Sequence, residues 1–119
     1  MKRDVKFRKE LVGSTTCTLV LSVLRESPRH GYQIAQIINE RSDGSLRWRE
    51  GTIYPMLHRL EKQGLIKGQW QINEDDKPRS KPKRVYQLTD AGLRVFSEQK
   101  EEWEMFSLMM DKLLGYNNG

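Results

Sequence analysis

Apolar residues recur along this chain first at helical spacing, then in alternation, then at helical spacing again. Leu19, Val20, Val23 and Leu24 predict a helix from about Thr15 to Glu26. Ser14, Thr15 and Thr16 are available N-caps, and Ser27-Pro28 ends the helix. Ile34, Ile37 and Ile38 predict a second helix over about Tyr32 to Arg41, closed by the Asp43-Gly44 turn. A third apolar stripe holds Ile53, Leu57, Leu60 and Gly64 at about 100° per residue. Pro55 lacks an amide hydrogen and suits a first turn, which predicts a start near Gly51 or Thr52. Gly64 suits a left-handed cap at the other end.

The period then changes. Ile66, Gly68, Trp70 and Ile72 alternate with polar partners, as do Tyr86 and Leu88, which predicts an antiparallel hairpin with a loop from Asn73 to Arg84. Helical spacing resumes after Thr89, an N-cap candidate, with Asp90 beside the positive helix end. Phe96, Trp103 and Met110 repeat every seven residues, as do Phe106 and Leu113, an a/d seam interrupted by Gln99. About two and a half heptads are too short for an independent coiled coil and suit packing on a partner and on the first helix. Helix, helix, helix, strand, basic loop, strand is the order of a winged helix-turn-helix. The expected architecture is mostly α with a small β-hairpin: a DNA-binding unit over residues 1–88 and a C-terminal dimerisation helix over residues 89–119.

The outward face of the third helix gives this order a use. Pro55, His58, Arg59 and Lys62 point away from the apolar stripe, flanked by Thr52 and Tyr54. A polar, basic face on a helix buried along its other side suits the major groove of DNA. Taken alone, the same pattern also describes an ordinary solvated amphipathic helix. Charge supports the nucleic-acid reading: 21 Lys/Arg against 16 Asp/Glu leave a net charge of +5, and the pI is near 9.5. The excess lies in residues 1–88, with 18 basic against 10 acidic residues (+8); residues 89–119 hold 3 against 6 (−3). Between Lys77 and Arg84 there are five positive charges and no negative one. Arg79, Ser80, Lys81 and Lys83 are therefore candidates for a phosphate-contacting wing, although Glu74-Asp75-Asp76 in the same loop counts against it. The basic arm from Met1 to Glu10 reads either as a frayed terminus or as a further phosphate contact. His30 and Tyr32 could meet a phosphate, with Tyr32 expected to pack with a wet hydroxyl.

Other classes find less support. Two histidines, His30 and His58, without metal spacing, scattered carboxylates and no glycine-rich phosphate loop propose no catalysis, cofactor or metal site. The single Cys17 excludes an internal disulfide, fits a reducing cytoplasm and reads as a buried core residue. No signal peptide and no membrane span are expected.

Three blocks resemble the PadR-like family of bacterial transcriptional regulators: His30-Gly31-Tyr32-x-Ile34, the run from Gly51-Thr52-Ile53-Tyr54-Pro55 through Arg59-Leu60-Glu61 to Gly64-Leu65-Ile66, and Tyr86-x-Leu88-Thr89-x-x-Gly92. They occur in family order across nearly the whole chain, and the middle block is the most specific. The resemblance implies a homodimeric repressor of a palindromic operator, released by an effector that is often phenolic or planar and aromatic. In a multidrug-sensing branch, a Trp on the last helix stacks on flat drugs at the dimer interface. Trp103 stands 11 residues after Gly92, as that Trp does. Simple interface packing of Trp103 is the competing reading. Phe96, Trp103, Phe106, Met110 and Leu113 are the expected dimer and effector residues. Arg49-Glu50 departs from the family, which often has Ser or Pro before Gly-Thr. The expected partners are double-stranded DNA, a second copy and a small aromatic ligand. The alternative is a winged helix that docks proteins without reading DNA sequence, and such a module needs no basic wing.

Overall fold

The computed structural model describes residues 7–13, 15–71 and 83–116. Five helices and three strands follow in the order α1 (Lys9–Gly13), α2 (Thr16–Glu26), β1 (Arg29–His30), α3 (Gly31–Arg41), α4 (Glu50–Lys62), β2 (Ile66–Gln71), β3 (Lys83–Leu88) and α5 (Asp90–Leu114). The expected helices from Thr15 and from Tyr32 are present as α2 and α3. The loop tip with Arg79, Ser80 and Lys81, most of the N-terminal arm and the last three residues lie outside the described residues.

Four features differ from the sequence reading. The short helix α1 occupies part of the segment read as a charged arm. The sheet has three strands in the order β1-β3-β2, all antiparallel, because Arg29 and His30 pair with Tyr86 and Val85. A two-residue strand carries no periodicity to detect. The third difference concerns the hairpin loop: Lys83 and Arg84 belong to β3, where they pair with Gln71 and Trp70. Last, α4 begins at Glu50, so Pro55 sits inside the helix, in its second turn rather than its first. It therefore removes the helical bond that a residue there would donate to the Gly51 carbonyl, on an exposed face.

The core gathers where α2, α3, α4 and the sheet meet. Val20, Leu21, Val23, Ile34, Ile53, Leu57 and Ile66 are essentially inaccessible. Each contributes about 1.5–3 kcal/mol of transfer free energy relative to exposure. Trp48, which precedes α4, is buried with them. Its backbone is clamped by one side chain: the Asn39 amide donates to the Trp48 carbonyl at 2.7 Å and accepts from the Trp48 N–H at 2.7 Å. This pair of bonds ties the approach to α4 onto α3. Cys17 is only half-buried, against the core edge, and burial pushes its thiol above the usual range.

The end of α4 sets where the sheet and the last helix begin. The Leu65 N–H donates to the Leu60 carbonyl and the Gly64 N–H to the Glu61 carbonyl, both at 3.0 Å, with Gly64 at φ +78°. Both bonds of a Schellman cap are present, and Gly64 serves the turn rather than the buried stripe. Thr89 then joins this corner to α5. Its hydroxyl donates to the Gly64 carbonyl at 2.7 Å and accepts from the Gly92 N–H at 3.0 Å, the expected N-cap. The first turns of α5 pack on α2: Phe96 is buried, and Gln99 accepts from the Thr18 hydroxyl at 2.7 Å. Beyond Gln99 the helix is mostly exposed, with Trp103 and Phe106 bordering a groove beside Leu11 and Leu46. Its 25 residues span about 37 Å.

Candidate nucleic-acid interface

Helix α4 buries Ile53, Met56, Leu57 and Leu60 against the core. Thr52, Tyr54, Pro55, His58, Arg59 and Lys62 are all exposed. The expected outward face is thus present as one continuous surface. Its N-terminus is built without a side-chain cap: Arg49 is extended (φ −118°, ψ 168°), and its carbonyl receives the first helical bonds from Thr52 and Ile53. Glu50, in the first turn, is favoured by the helix dipole. Partial burial and the Glu50 charge push the Tyr54 phenol above its usual range, so it stays a hydrogen-bond donor.

The start of α3 adjoins this face. A Cβ on Gly31 would stand 2.7 Å from Cε1 of Tyr54, so the missing side chain lets α3 and α4 meet. Tyr32 is 41% exposed rather than packed away; its ring lies nearly parallel to His30 at 5.8 Å, with the Lys83 ammonium 5.6 Å from its centre. Among the expected wing residues, Lys83 is exposed at the start of β3 and reaches this side of the molecule. A shallow cleft between α3, α4 and the sheet is lined by His30, Gly31, Tyr32, Tyr54, Trp70, Lys83, Arg84 and Tyr86. Aromatic and cationic groups dominate it.

Two residues on that cleft were not singled out from sequence. Trp70 alternates with Ile66 yet is 64% exposed, since β2 has run past the edge of the core. Arg84 lies opposite Trp70 in the strand register, its guanidinium 5.4 Å from the Trp70 ring centre and 5.9 Å from that of Tyr86. The sequence signal was the alternation Arg84-Val85-Tyr86, hidden because Arg84 ends a run of positive charge. Burial pushes the Tyr86 phenol above its usual range.

The C-terminal residues divide. Phe96 belongs to the chain's own core, with the Arg25 guanidinium 6.0 Å from its ring centre, and is not free to meet a partner. Trp103, Phe106, Met110 and Leu113 are exposed, together with Met105, Leu108, Met109 and Leu114. The seven-residue repeat therefore serves two ends: its first members dock α5 onto α2, and the rest project into solvent. Among the described residues no group of His, Cys, Asp or Glu is arranged to hold a metal ion, and no helix is long and apolar enough to cross a membrane.

A recognition-type helix with a polar outer face, a helix packed across its start and an antiparallel wing define a winged helix-turn-helix regulator. Residues 20–98 match the transcriptional regulator PadR-like family. A PadR family transcriptional regulator from Eggerthella lenta is 38% identical, with a TM-score of 0.72 over 91% of this chain and 88% of that one. A transcriptional regulator from Clostridium thermocellum superposes with a TM-score of 0.77 at 28% identity, over 87% of this chain and 96% of that one. The transcriptional regulator Rv3488 of Mycobacterium tuberculosis is 31% identical over 67% of this chain but only 57% of its own length. The chain belongs to the PadR-like family of transcriptional regulators.

Proposed function

We propose that the protein is a repressor that binds a palindromic operator in the cytoplasm as a homodimer and is released by a small flat aromatic ligand. Residues 1–88 would carry DNA recognition and residues 89–119 dimerisation, a division of roles rather than of folding units, since α5 completes the core. One observation carries the DNA reading: the outer face of α4 presents Thr52, Tyr54, Pro55, His58, Arg59 and Lys62 together, with Tyr32 and Lys83 beside it. The helix side chains suit base edges and the cations suit phosphates. Arg79, Ser80 and Lys81 would extend the phosphate contact from the wing.

The dimer reading rests on α5. From Trp103 onward, exposed apolar side chains cover roughly two-thirds of the circumference at 100° per residue. That is far more than a solvated helix carries, and a second copy related by a two-fold axis covers it on both chains at once. Two α4 helices then meet half-sites about one DNA turn apart.

The ligand reading rests on a groove of about 570 Å³ lined by Phe7, Leu11, Leu46, Trp103 and Phe106 among others. Its volume lies in the range of small-molecule sites, and the ring of Trp103 offers a flat stacking surface. A ligand that prefers the DNA-incompetent dimer needs a coupling of only about 1–3 kcal/mol for a useful response. Sequencing the fragments that the protein retains from its own genome tests the function directly. One recurrent inverted repeat is expected; retention without any preferred sequence refutes the operator reading. Titration with planar dyes should quench Trp emission, and quenching that survives Trp103→Ala unchanged removes the pocket.

A further inference from the structure

One carboxylate oxygen of α4 is bonded to both strands of the wing. Oε2 of Glu61, on the side of α4 towards the sheet, accepts from Nη2 of Arg84 at 2.6 Å and from the backbone N–H of Gly68 at 3.1 Å. Arg84 is on β3 and Gly68 on β2, so three elements meet at one charge-assisted pair. The rings of Trp70 and Tyr86 lie near the same guanidinium, 5.4 and 5.9 Å from it. Gly68 makes the space, because a Cβ there would stand 2.5 Å from Nε of Arg84. Both side chains are only 29% exposed.

We propose that Glu61 and Arg84 are positioning residues for DNA recognition: their brace sets the angle between the wing and α4, and Arg84 is withheld from the phosphate backbone. This inference rests on the DNA-binding reading. The physical argument is geometric. In a winged helix the wing must stand at a fixed angle to the seated helix to meet the same duplex; β1 holds β3 only at Tyr86 and Val85, and beyond Val85 the wing is a two-stranded ribbon with little stiffness of its own. The helix end of the ribbon is already anchored by the Leu65 and Thr89 bonds. Further out, among the described residues, the hydrogen bonds between α4 and the strands are the two that the Glu61 carboxylate accepts. Without them the part of the ribbon beyond Val85, where the pairing with β1 ends, can pivot, and the basic tip meets the backbone at varying distances from the groove that α4 occupies.

Charge and position make opposite predictions. Glu61→Gln removes one negative charge near the DNA face, whereas Arg84→Met removes one positive charge. If these residues acted through charge alone, the first would strengthen binding to every sequence and the second weaken it. As a brace, both lower the ratio of specific to non-specific affinity, by roughly tenfold, the order of one misaligned base contact. Arg84→Lys keeps the pair and should recover most of the ratio. Because Arg84 is not a phosphate contact, Arg84→Met should leave the salt slope of non-specific binding unchanged, where loss of a contact would shallow it by about one unit.

The experiment has two arms on the full chain, with circular dichroism to confirm folding. One measures affinity for the recovered operator and for random duplex across salt. The other measures residual dipolar couplings of the free protein, which report the orientation of β2 and β3 relative to α4. The expected result is a lower specificity ratio and a reoriented or averaged wing in both Glu61→Gln and Arg84→Met, with Arg84→Lys close to wild type. A wing orientation unchanged in both variants overturns the brace whatever the DNA results. Parallel changes in specific and non-specific affinity, or a shallower slope in Arg84→Met, overturn its role in recognition. Wild-type protein without sequence preference refutes the operator reading instead, and the dipolar couplings still decide the brace.

Discussion

Gly92→Ala tests how α5 is fixed to the body, and with it the frame that would carry the two recognition helices. A Cβ built on Gly92 lies 2.0 Å from the Leu65 carbonyl oxygen, 3.0 Å from the Leu65 carbonyl carbon and 2.8 Å from Cδ1 of Leu88. Two of these neighbours are backbone in a capped corner, so they cannot turn aside as a side-chain tip would. Lengthening the 2.0 Å approach to an allowed contact requires the first turn of α5 or the Leu65 corner to move by about 1 Å or more. That motion strains three bonds: Thr89 N–H to Leu65 at 3.1 Å, Thr89 hydroxyl to Gly64 at 2.7 Å, and Gly92 N–H to the Thr89 hydroxyl at 3.0 Å. Overpacking costs about 1–3 kcal/mol, and a disrupted cap costs about 1 kcal/mol. Alanine returns about 1 kcal/mol of helix propensity. The net expectation is a loss of about 1–3 kcal/mol, read as a lower midpoint in guanidinium unfolding at matched protomer concentration. Gly51→Ala is the control: it is also a helical glycine, but nothing lies within 4 Å of its Cβ position, so it should gain up to about 1 kcal/mol. A Gly92→Ala protein as stable as wild type would refute the steric argument.

Phe106 is 61% exposed in the single chain, so Phe106→Glu should leave the helical spectrum intact and convert the dimer to a monomer in sedimentation; a wild-type monomer at micromolar concentration would sink the dimer reading. Arg79→Ala, Lys81→Ala and Lys83→Ala should each weaken binding to all duplexes alike and shallow the salt slope by about one unit. A triple variant that binds random DNA as wild type does removes the wing from the interface. Two oxygens of Glu26 accept from Arg41 at 2.6 and 2.7 Å, and the guanidinium holds the Glu26 carboxyl below the usual range. The folded state therefore favours the ionised form. The stabilisation is present above the unfolded-state pKa and is lost as pH falls through the folded one. Glu26→Gln should lower the urea midpoint slightly at about pH 7 and not at about pH 3, and an equal loss at both would contradict the pairing.

Much of the α4 site was legible in the sequence because it depends on local order. Thr52, Tyr54, His58, Arg59 and Lys62 share a face wherever residues 50–62 are helical and Leu57 is buried, and both conditions follow from spacing. Thr89 was legible as a cap for the same reason: the bond to Gly92 spans three residues. Arg84 was misassigned because its environment comes from elsewhere. A positive charge at the end of a basic run looks solvated until Glu61, 23 residues away, and Trp70, across the ladder, are brought beside it.

Period, charge and the caps at Gly64 and Thr89 were thus settled by the chain itself, since each needs only neighbours within about four residues; Thr15 and Thr16, also cap candidates, instead donate to the Val12 and Gly13 carbonyls and cap nothing. Where each periodic face ended up was decided by the folded body. Phe96 and Trp103 hold equivalent places in the same seven-residue repeat, yet one is core and the other is 52% exposed. The cause is the reach of α2, whose contact with α5 includes the Thr18 bond to Gln99; past it, among the described residues, α5 has only the partly open groove with Phe7, Leu11 and Leu46 on one side. Likewise Ile66 and Trp70 share a strand face, but only Ile66 lies over the helices. A side-chain pattern specifies which residues travel together; the extent of the surface they meet is a property of the whole fold.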